Sequence, residues 1–513
     1  MPHQRTVVIA PGPTANGDLH LGHLAGPFLA ADVCARYLRA VGRDVLFGTG
    51  IHSTQNYIVT TARRLGVGPE DLRTRSAGQV EGTLSAMGID ADGFVRFDDR
   101  YVKTVLNFFD RLHMAGRLRL RPVRFPYSPR TGEFLTDAYV RGGCPVCLAD
   151  GCAGLCESCG HWVASGDLID PRSTQYPDDP VELREASVLV LPLEEYREQL
   201  TGYFAGHART MRPPMARLVE EMLARPLPDY PVTLPISWGI AAPFPEVDGQ
   251  VIYSDAETIA WSMHCTALAA ENRGEVLAAE DEPWSAEAGA RVVYFLGSDA
   301  SSAFAVVGVA MLLALGGYVL PEHFVTNEFY ELDNDKFSTS RGHLVTGRQL
   351  AAAVPRDLIR FYLAATSPEF QRTNFTRDAL AKVTQWRLVK PWNRVAGKLD
   401  GWVGRGPLPV SARSRRAAAR IVARFAAAYD IRRFSLTAAA FTLTEQLARL
   451  DRWVVAEADA GDFCHEVDVF LRCAAPILID LAGEALPDTA IPDRPTAASI
   501  TPRHLPRLSG KAD

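Results

Sequence analysis

Two groups of residues in this chain stand at spacings that can do chemistry. The first is His20-Leu21-Gly22-His23. It follows a short apolar run, Val7-Val8-Ile9, which reads as a buried parallel strand, and a loop of Pro, Gly and Asn. After it, Leu24, Phe28, Leu29, Val33 and Leu38 recur at helical spacing, so the histidines sit where a strand–loop–helix unit turns into its helix. A helix start presents unpaired backbone N–H groups and the positive end of the helix dipole, and anions settle there. Gly22 leaves room for a flat ring to lie on the backbone, and His20 and His23 can donate hydrogen bonds to a phosphate. The same two side chains could equally serve only as a satisfied helix cap. The second group is Cys144-Pro145-Val146-Cys147 with Cys156-Glu157-Ser158-Cys159. Two CxxC pairs can place four thiolates around one tetrahedral zinc, with no position left open for water, so the expected site is structural. Cys152, inside the same loop, could substitute for one ligand.

These groups need elements to hold them. The chain has 513 residues, enough for about two to four domains with ample core. Residues 1–115 alternate apolar strands with helices, as a doubly wound α/β domain does. Val45-Leu46-Phe47 running into Gly48-Thr49-Gly50 reads as a second strand ending in a tight turn, and ligands in such sheets lie beyond the carboxyl ends of the strands. Residues 116–240 break that rhythm and carry the cysteines, so metal would hold an insertion with little core of its own. Residues 241–350 return to α/β, with Val251–Ala256 and Val292–Asp299 each read as a strand ending in a polar loop. Residues 351–513 read as helical. Within them Arg413, Arg416, Arg420 and Arg424 line one helical face, either as a solvated surface or as a contact to an RNA backbone. The tail after Pro487 is Pro-rich and reads as loose.

Composition narrows the function classes. Apolar content of 47% with 22% charged residues is ordinary for a globular enzyme, and a net charge of −6 argues against a general nucleic-acid coat or a DNA-binding role. No run of about 18 or more apolar residues is evident, so no membrane span is expected. Met1-Pro2-His3-Gln4-Arg5 leads straight into a strand and leaves no room for a signal peptide. Nine cysteines with this clustering fit metal in a reducing compartment, the cytoplasm.

A further segment, Lys336-Phe337-Ser338-Thr339-Ser340-Arg341-Gly342, lies far along the chain. With His20-Leu21-Gly22-His23 it resembles the paired HIGH and KMSKS signatures of class I aminoacyl-tRNA synthetases. The four-cysteine segment, Ala15-Asn16-Gly17, Ser237-Trp238-Gly239-Ile240, Ser254-Asp255-Ala256, Gly297-Ser298-Asp299 and Asp357 to Leu363 narrow the likeness to the methionyl-tRNA synthetases. The resemblance covers essentially the whole chain. It implies an α/β fold: a Rossmann-type catalytic domain split by a zinc-bearing insertion and followed by a helical bundle like that family's anticodon-binding domain.

It also implies a reaction. Such enzymes activate an amino acid with ATP and Mg2+, then pass the acyl group to tRNA, and the protein mainly supplies position and positive charge. By resemblance, His20 and His23 stabilise charge developing on the α-phosphate, while Lys336 and Ser338 hold the pyrophosphate. Gly22, Asp299 and Ser340 complete the ATP site. Asp255 and Asp299 are candidates for contacts to ribose or to the substrate ammonium, or are plain turn caps. Asn393 and Trp453 stand where the family reads the anticodon, and either packing or RNA contact suits them.

The departures matter as much. His52 stands where the family has an aspartate that holds the substrate ammonium, and an imidazole cannot replace a carboxylate there. Gly12 and Thr14 replace a leucine and a tyrosine of the pocket, Tyr253 a tryptophan and Phe304 a histidine. A thioether pocket discriminates by tight apolar contact worth only about 1–3 kcal/mol per methylene, so changing several walls should abolish methionine selectivity. Thr339 replaces a lysine of the loop, with Arg341 the nearest cation, and Gly397 replaces an arginine near Asn393. Three functions follow: a tRNA ligase for another acid, a paralogue that hands the acyl group to a small-molecule acceptor, or a non-catalytic tRNA-binding module. Intact His20, His23 and Lys336 argue against the last.

Overall fold

The computed structural model describes residues 4–337 and 344–509, with Lys336 by its backbone alone. The expectations for Ser338, Thr339 and Ser340, and for the Lys336 side chain, fall outside the described residues.

The apolar run near the N-terminus forms the strand Thr6–Ile9, whose four residues are all buried. It lies at the centre of a five-stranded sheet in the order His323–Asn327, Arg291–Gly297, Thr6–Ile9, Val45–Gly50, Gly93–Val95. Every neighbouring pair is parallel. Val8 faces one large core and Val7 and Ile9 face the other, which is the two-residue alternation of a strand covered on both faces. The first core takes the helix Leu29–Ala40 and runs on into the C-terminal helices; the second takes Thr258–Asn272.

Two strands of this sheet come only after the insertion, so the chain leaves the sheet after Val95 and rejoins it at Arg291. Between them lies an antiparallel sheet built on Arg119–Ser128 paired with Glu182–Pro192. A smaller pair, Val140–Gly143 with Ile169–Ser173, brackets the cysteines.

Several local expectations are corrected. The second strand does not turn at Gly48 but continues to Gly50, and Gly48 lets the strand lie against Cys265, whose Sγ would be 2.4 Å from a Cβ there. Val251–Ala256 is a short strand that ends in a polar turn, as read, but it lies outside the parallel sheet. Only Val251–Ile252 pairs, antiparallel with Thr233–Leu234, and Ser254–Ala256 forms a 3₁₀ turn into the next helix. The helix after His23 is interrupted: Leu24–Phe28 is a wide turn in which Gly26 takes non-helical angles and Pro27 supplies no N–H, so the regular helix resumes at Leu29. Ser298–Leu315 is, by length and mean hydropathy of 1.7, apolar enough to cross a membrane, although it opens on polar residues and is not the unbroken apolar run that the sequence reading excludes. It is 72% buried and serves as a core helix.

The C-terminal part is helical, with Ala412–Tyr429, Leu436–Arg452 and Ala460–Ala474 packed together and Arg413, Arg416, Arg420 and Arg424 exposed. As far as Leu508 the tail is not loose but docked. Ser499–Ile500 pairs with Leu408–Pro409, Leu505 and Leu508 are buried, and Trp392 Nε1 donates to Pro506 O at 2.8 Å.

Candidate active site

Beyond the carboxyl ends of the central strands opens a cleft of about 1010 Å³. His20, Gly22 and His23 line it, with the strand ends at Gly12, His52 and Gly297. Gly12 can only be glycine: a Cβ would lie 2.2 Å from Gly50 O, where two strand ends cross.

His20 is the N-cap of the helical turn Leu21–His23. Its Nδ1 accepts from Gly22 N at 3.1 Å, and His23 Nδ1 accepts from His20 N at 3.4 Å, a reciprocal capping box. The capping and catalytic readings of these histidines therefore do not compete. A ring nitrogen that accepts carries no hydrogen, so each neutral imidazole bears its hydrogen on Nε2, the nitrogen turned away from the cap. The rings stack with centroids 3.8 Å apart. Phe337 stacks on the other face of His20 at 4.8 Å. Gly22 leaves the necessary space, since a Cβ there would stand 2.9 Å from the His20 ring.

Both ends of segment 338–343 are anchored to this motif. On one side Lys336 pairs with Glu331 in a short hairpin, and the next residue is the Phe337 that covers His20. On the other, Leu21 N donates to Val345 O at 3.0 Å and Gly347 N to Leu19 O at 3.2 Å. The structure thus brings the backbone of Lys336 to the histidines. Asp299 lines the cleft from the turn after Arg291–Gly297.

Of the pocket residues named from sequence, Gly12, Thr14, His52, Asp255 and Phe304 line the same cleft, while Tyr253 is buried beside Asp255 and does not line it. His52 is 6% exposed, stacks on Trp261 at 5.7 Å and meets the edge of Phe304 at 6.2 Å. Burial pushes its pKa down to about 4, so it is neutral at physiological pH. Thr14 Oγ1 donates to Gln55 Oε1, and Gln55 Nε2 donates to Asp255 Oδ1 at 2.9 Å. Tyr253 reaches Asp255 Oδ2 at 3.3 Å and Asp137 Oδ1 at 3.1 Å. Burial raises the pKa of Asp137 to about 8, and the neighbouring Asp255 adds to the rise. Sequence reasoning missed Asp137, Gln55, Trp261 and Phe337. Asp137 lies in the insertion, seven residues before Cys144, and no spacing signal marks it.

The insertion reaches this site directly. Gly154 lies against Asp137, whose Oδ1 would be 2.3 Å from a Cβ on it, and Ala153 and Leu155 line the cleft. Gly154 sits within the cysteine loop. The four sulfurs of Cys144, Cys147, Cys156 and Cys159 lie within 4.8 Å of one another. Tetrahedral zinc with Zn–S of about 2.3 Å needs sulfurs about 3.8 Å apart. Cys144–Cys159 at 3.9 Å and Cys147–Cys156 at 3.6 Å meet that requirement, and all nine cysteines are free thiols. The quartet fits a closed zinc site and Cys152 is not needed in it. We expect the purified protein to hold one equivalent of zinc and Cys144→Ala to reduce this to a small fraction, read by elemental analysis. If the insertion depends on the metal, the same variant weakens binding at the Asp137 end of the cleft more than ATP binding.

The anticodon candidates are placed differently. Asn393 Nδ2 donates to Leu508 O at 2.9 Å and its Oδ1 accepts from Leu508 N at 2.9 Å, so the chain's own tail holds the amide. Arg507 lies over Gly397, where a Cβ would be 3.3 Å from Nη1. Trp453 is half-buried, edge-on to Phe463 at 5.7 Å.

Comparison with known proteins agrees with this geometry. The family described as tRNA synthetases class I (M) matches residues 6–396. A methionine–tRNA ligase of Bacteroides fragilis is 31% identical over 377 residues, 73% of this chain and 54% of the relative. One from Porphyromonas gingivalis is 32% identical over 384 residues, 74% of this chain and 55% of the relative. The chain therefore spans about half the length of these relatives. The fold is that of Mycobacterium tuberculosis methionyl-tRNA synthetase in complex with methionyl-adenylate, with a TM-score of 0.73, 19% identity and 99% of each chain covered. With a matching family over most of its length and the histidine motif, strand order and cysteine quartet in place, the chain belongs to the class I tRNA synthetases of the methionine type.

Proposed function

We propose that this protein uses ATP to activate an amino acid or related carboxylic acid other than methionine, and passes the acyl group to tRNA. The carboxylate oxygen attacks the α-phosphorus, the bond to pyrophosphate breaks, and the acyl group then moves from AMP to an acceptor hydroxyl. Within this reading the chain divides into 1–115 and 241–350 as the halves of the catalytic domain, 116–240 as the insertion and 351–513 as the helical part. Mg2+ accompanies ATP, Lys336, Ser338 and Ser340 hold the phosphates with Gly22, and Asp299 contacts the nucleotide. The work is done in the cytoplasm.

The observation that carries the reading is the stacked His20–His23 pair with both anchors of the lysine segment upon it. Selectivity against methionine is supported by what lines the cleft there: Thr14, His52, Gln55 and Asp255, a polar set where a thioether needs apolar walls. The test is ATP–pyrophosphate exchange with a panel of amino acids and other carboxylic acids. Exchange driven by an acid other than methionine is expected; strong methionine-dependent exchange would sink the selectivity claim.

One observation favours a second reading, in which a small molecule accepts the acyl group. Asn393 is occupied by Leu508, and Arg507 covers Gly397, on the surface that would meet an anticodon. Charging of bulk tRNA with a radiolabelled acid separates the two. A tRNA ligase loses activity with RNase and binds tRNA less as salt rises, whereas an enzyme with a small acceptor is indifferent to both.

A further inference from the structure

The acidic end of the cleft gathers two carboxyl groups around one phenol, with the Arg141 guanidinium bonded to the Asp137 carbonyl beside them. Tyr253 has one hydroxyl hydrogen, yet its oxygen lies 3.1 Å from Asp137 Oδ1 and 3.3 Å from Asp255 Oδ2. It can donate to one carboxylate only, and its lone pairs then face the other. Gln55 serves the opposite oxygen of Asp255 and is itself fixed by Thr14, so it cannot swing over to help. Two carboxylates held around one phenol are stable only if a proton or a cation lies between them. Burial raises both acids, Asp137 to about 8, so at neutral pH a proton holds the pair together and an amine cation would take that proton's place.

A second, independent observation points to a ligand. His52 lines the same cleft and is 6% exposed, and neither of its ring nitrogens has a hydrogen-bond partner among the described residues. A buried imidazole without partners is costly, so its partner must come from whatever fills the cleft. Kept neutral, it offers one donor and one acceptor and no charge, which suits a polar group and leaves any ammonium to the two acids. Thr258, which also lines the cleft, has an equally unpartnered hydroxyl.

We propose that Asp137, Tyr253 and Asp255 form a receptor for a protonated primary amine of the acid substrate, with His52 hydrogen-bonding a further polar group of the same molecule. The inference rests on the acid-activation reading and names the class of acid: amine-bearing and polar beyond its carboxylate. The amine can be the α-ammonium, moved here from the position that His52 now occupies, or an amine on the side chain. An ammonium brings three donors to the oxygens that the single phenol hydrogen cannot serve.

Four six-carbon probes separate the cases by isothermal calorimetry on the full chain without ATP turnover: hexanoate with no amine, L-norleucine with the α-amine, 6-aminohexanoate with the terminal amine, and L-lysine with both. A charge-assisted hydrogen bond to the pair makes at least one amine-bearing probe bind tenfold or more tightly than hexanoate, within the about 10- to 100-fold such bonds give. Norleucine carrying that advantage assigns the α-ammonium, and 6-aminohexanoate carrying it assigns a side-chain amine. Asp137→Asn and Asp255→Asn, near-isosteric and checked for unchanged unfolding, each bring the ratio close to one. Equal binding of hexanoate and the amines, an advantage that survives in both variants, or no binding by any amine-bearing probe overturns the proposal. Failure of pyrophosphate exchange with every acid would remove the activation reading and leave the calorimetric result standing. Exchange without amine dependence would sink this inference alone.

Discussion

On the proposed activation chemistry, His23→Ala is expected to lower the rate of adenylate formation about 10²–10³-fold, the usual cost of losing one donor aimed at developing charge. It leaves the dissociation constant of ATP within about threefold, because the contact strengthens only as the transition state forms. The reason is in the cap. His23 Nδ1 accepts from His20 N, which fixes the hydrogen on Nε2 and stiffens the ring against its neighbour at 3.8 Å. His20→Asn is the informative companion: its side-chain oxygen can still accept from Gly22 N and hold the helix start, but its shorter side chain does not reach as far into the cleft as Nε2. We expect unchanged thermal unfolding with a rate loss of the same order as for His23→Ala. Single-turnover adenylate formation under rapid quench gives the rate and calorimetry gives ATP affinity. Equal losses in both for His23→Ala would assign the histidines to ground-state binding.

The parts of this molecule that the sequence announced are those in which a local rule has one outcome. Val7, Val8 and Ile9 make a buried strand because an apolar run of that length between turn residues has few other uses, and two CxxC pairs meet because each closes its own turn. What stayed hidden depends on residues distant in the chain. Asp137 takes a left-handed backbone at φ 46° and meets Tyr253 and Asp255 only after the insertion folds back over the sheet. The tail reads as loose because Pro-rich sequence carries no periodicity, yet Leu505 and Leu508 find a surface prepared by Trp392 and Asn393. Gly397 marks a missing arginine in the sequence, and only the fold shows Arg507 lying over that position. The kink at Gly26 and Pro27 was open to reading, since proline inside a helix pattern breaks it, and the periodicity of the flanking leucines obscured it.

Asp32→Ala costs about 3–5 kcal/mol of stability, the penalty for leaving a buried charge without its counter-ion. Arg360 is fully buried, and its Nη2 lies 2.6 Å from Asp32 Oδ2. The guanidinium also donates to Ile477 O at 3.0 Å, Pro476 O at 2.7 Å and Met87 O at 3.1 Å. One side chain therefore ties the helix that continues from the histidine motif to the turn ending Pro69–Ala86 and to the C-terminal helices. Those carbonyls solvate the cation but cannot neutralise it; among the described residues Asp32 is the carboxylate bonded to it, and Asp357 acts from farther away. Arg36 shares that carboxylate at 3.0 Å and is partly exposed, so water can compensate Arg36 when Asp32 is lost, whereas buried Arg360 keeps only the longer-range attraction of Asp357. Removing both buried charges in Asp32→Leu with Arg360→Met should therefore restore part of the stability that Asp32→Ala loses, although no side chain has been added that bonds to anything. Urea unfolding of the two variants and the parent, followed by tryptophan fluorescence, measures the difference. A double variant less stable than Asp32→Ala would mean that the fan of Arg360 bonds to carbonyls, and not its charge balance, holds the two halves together.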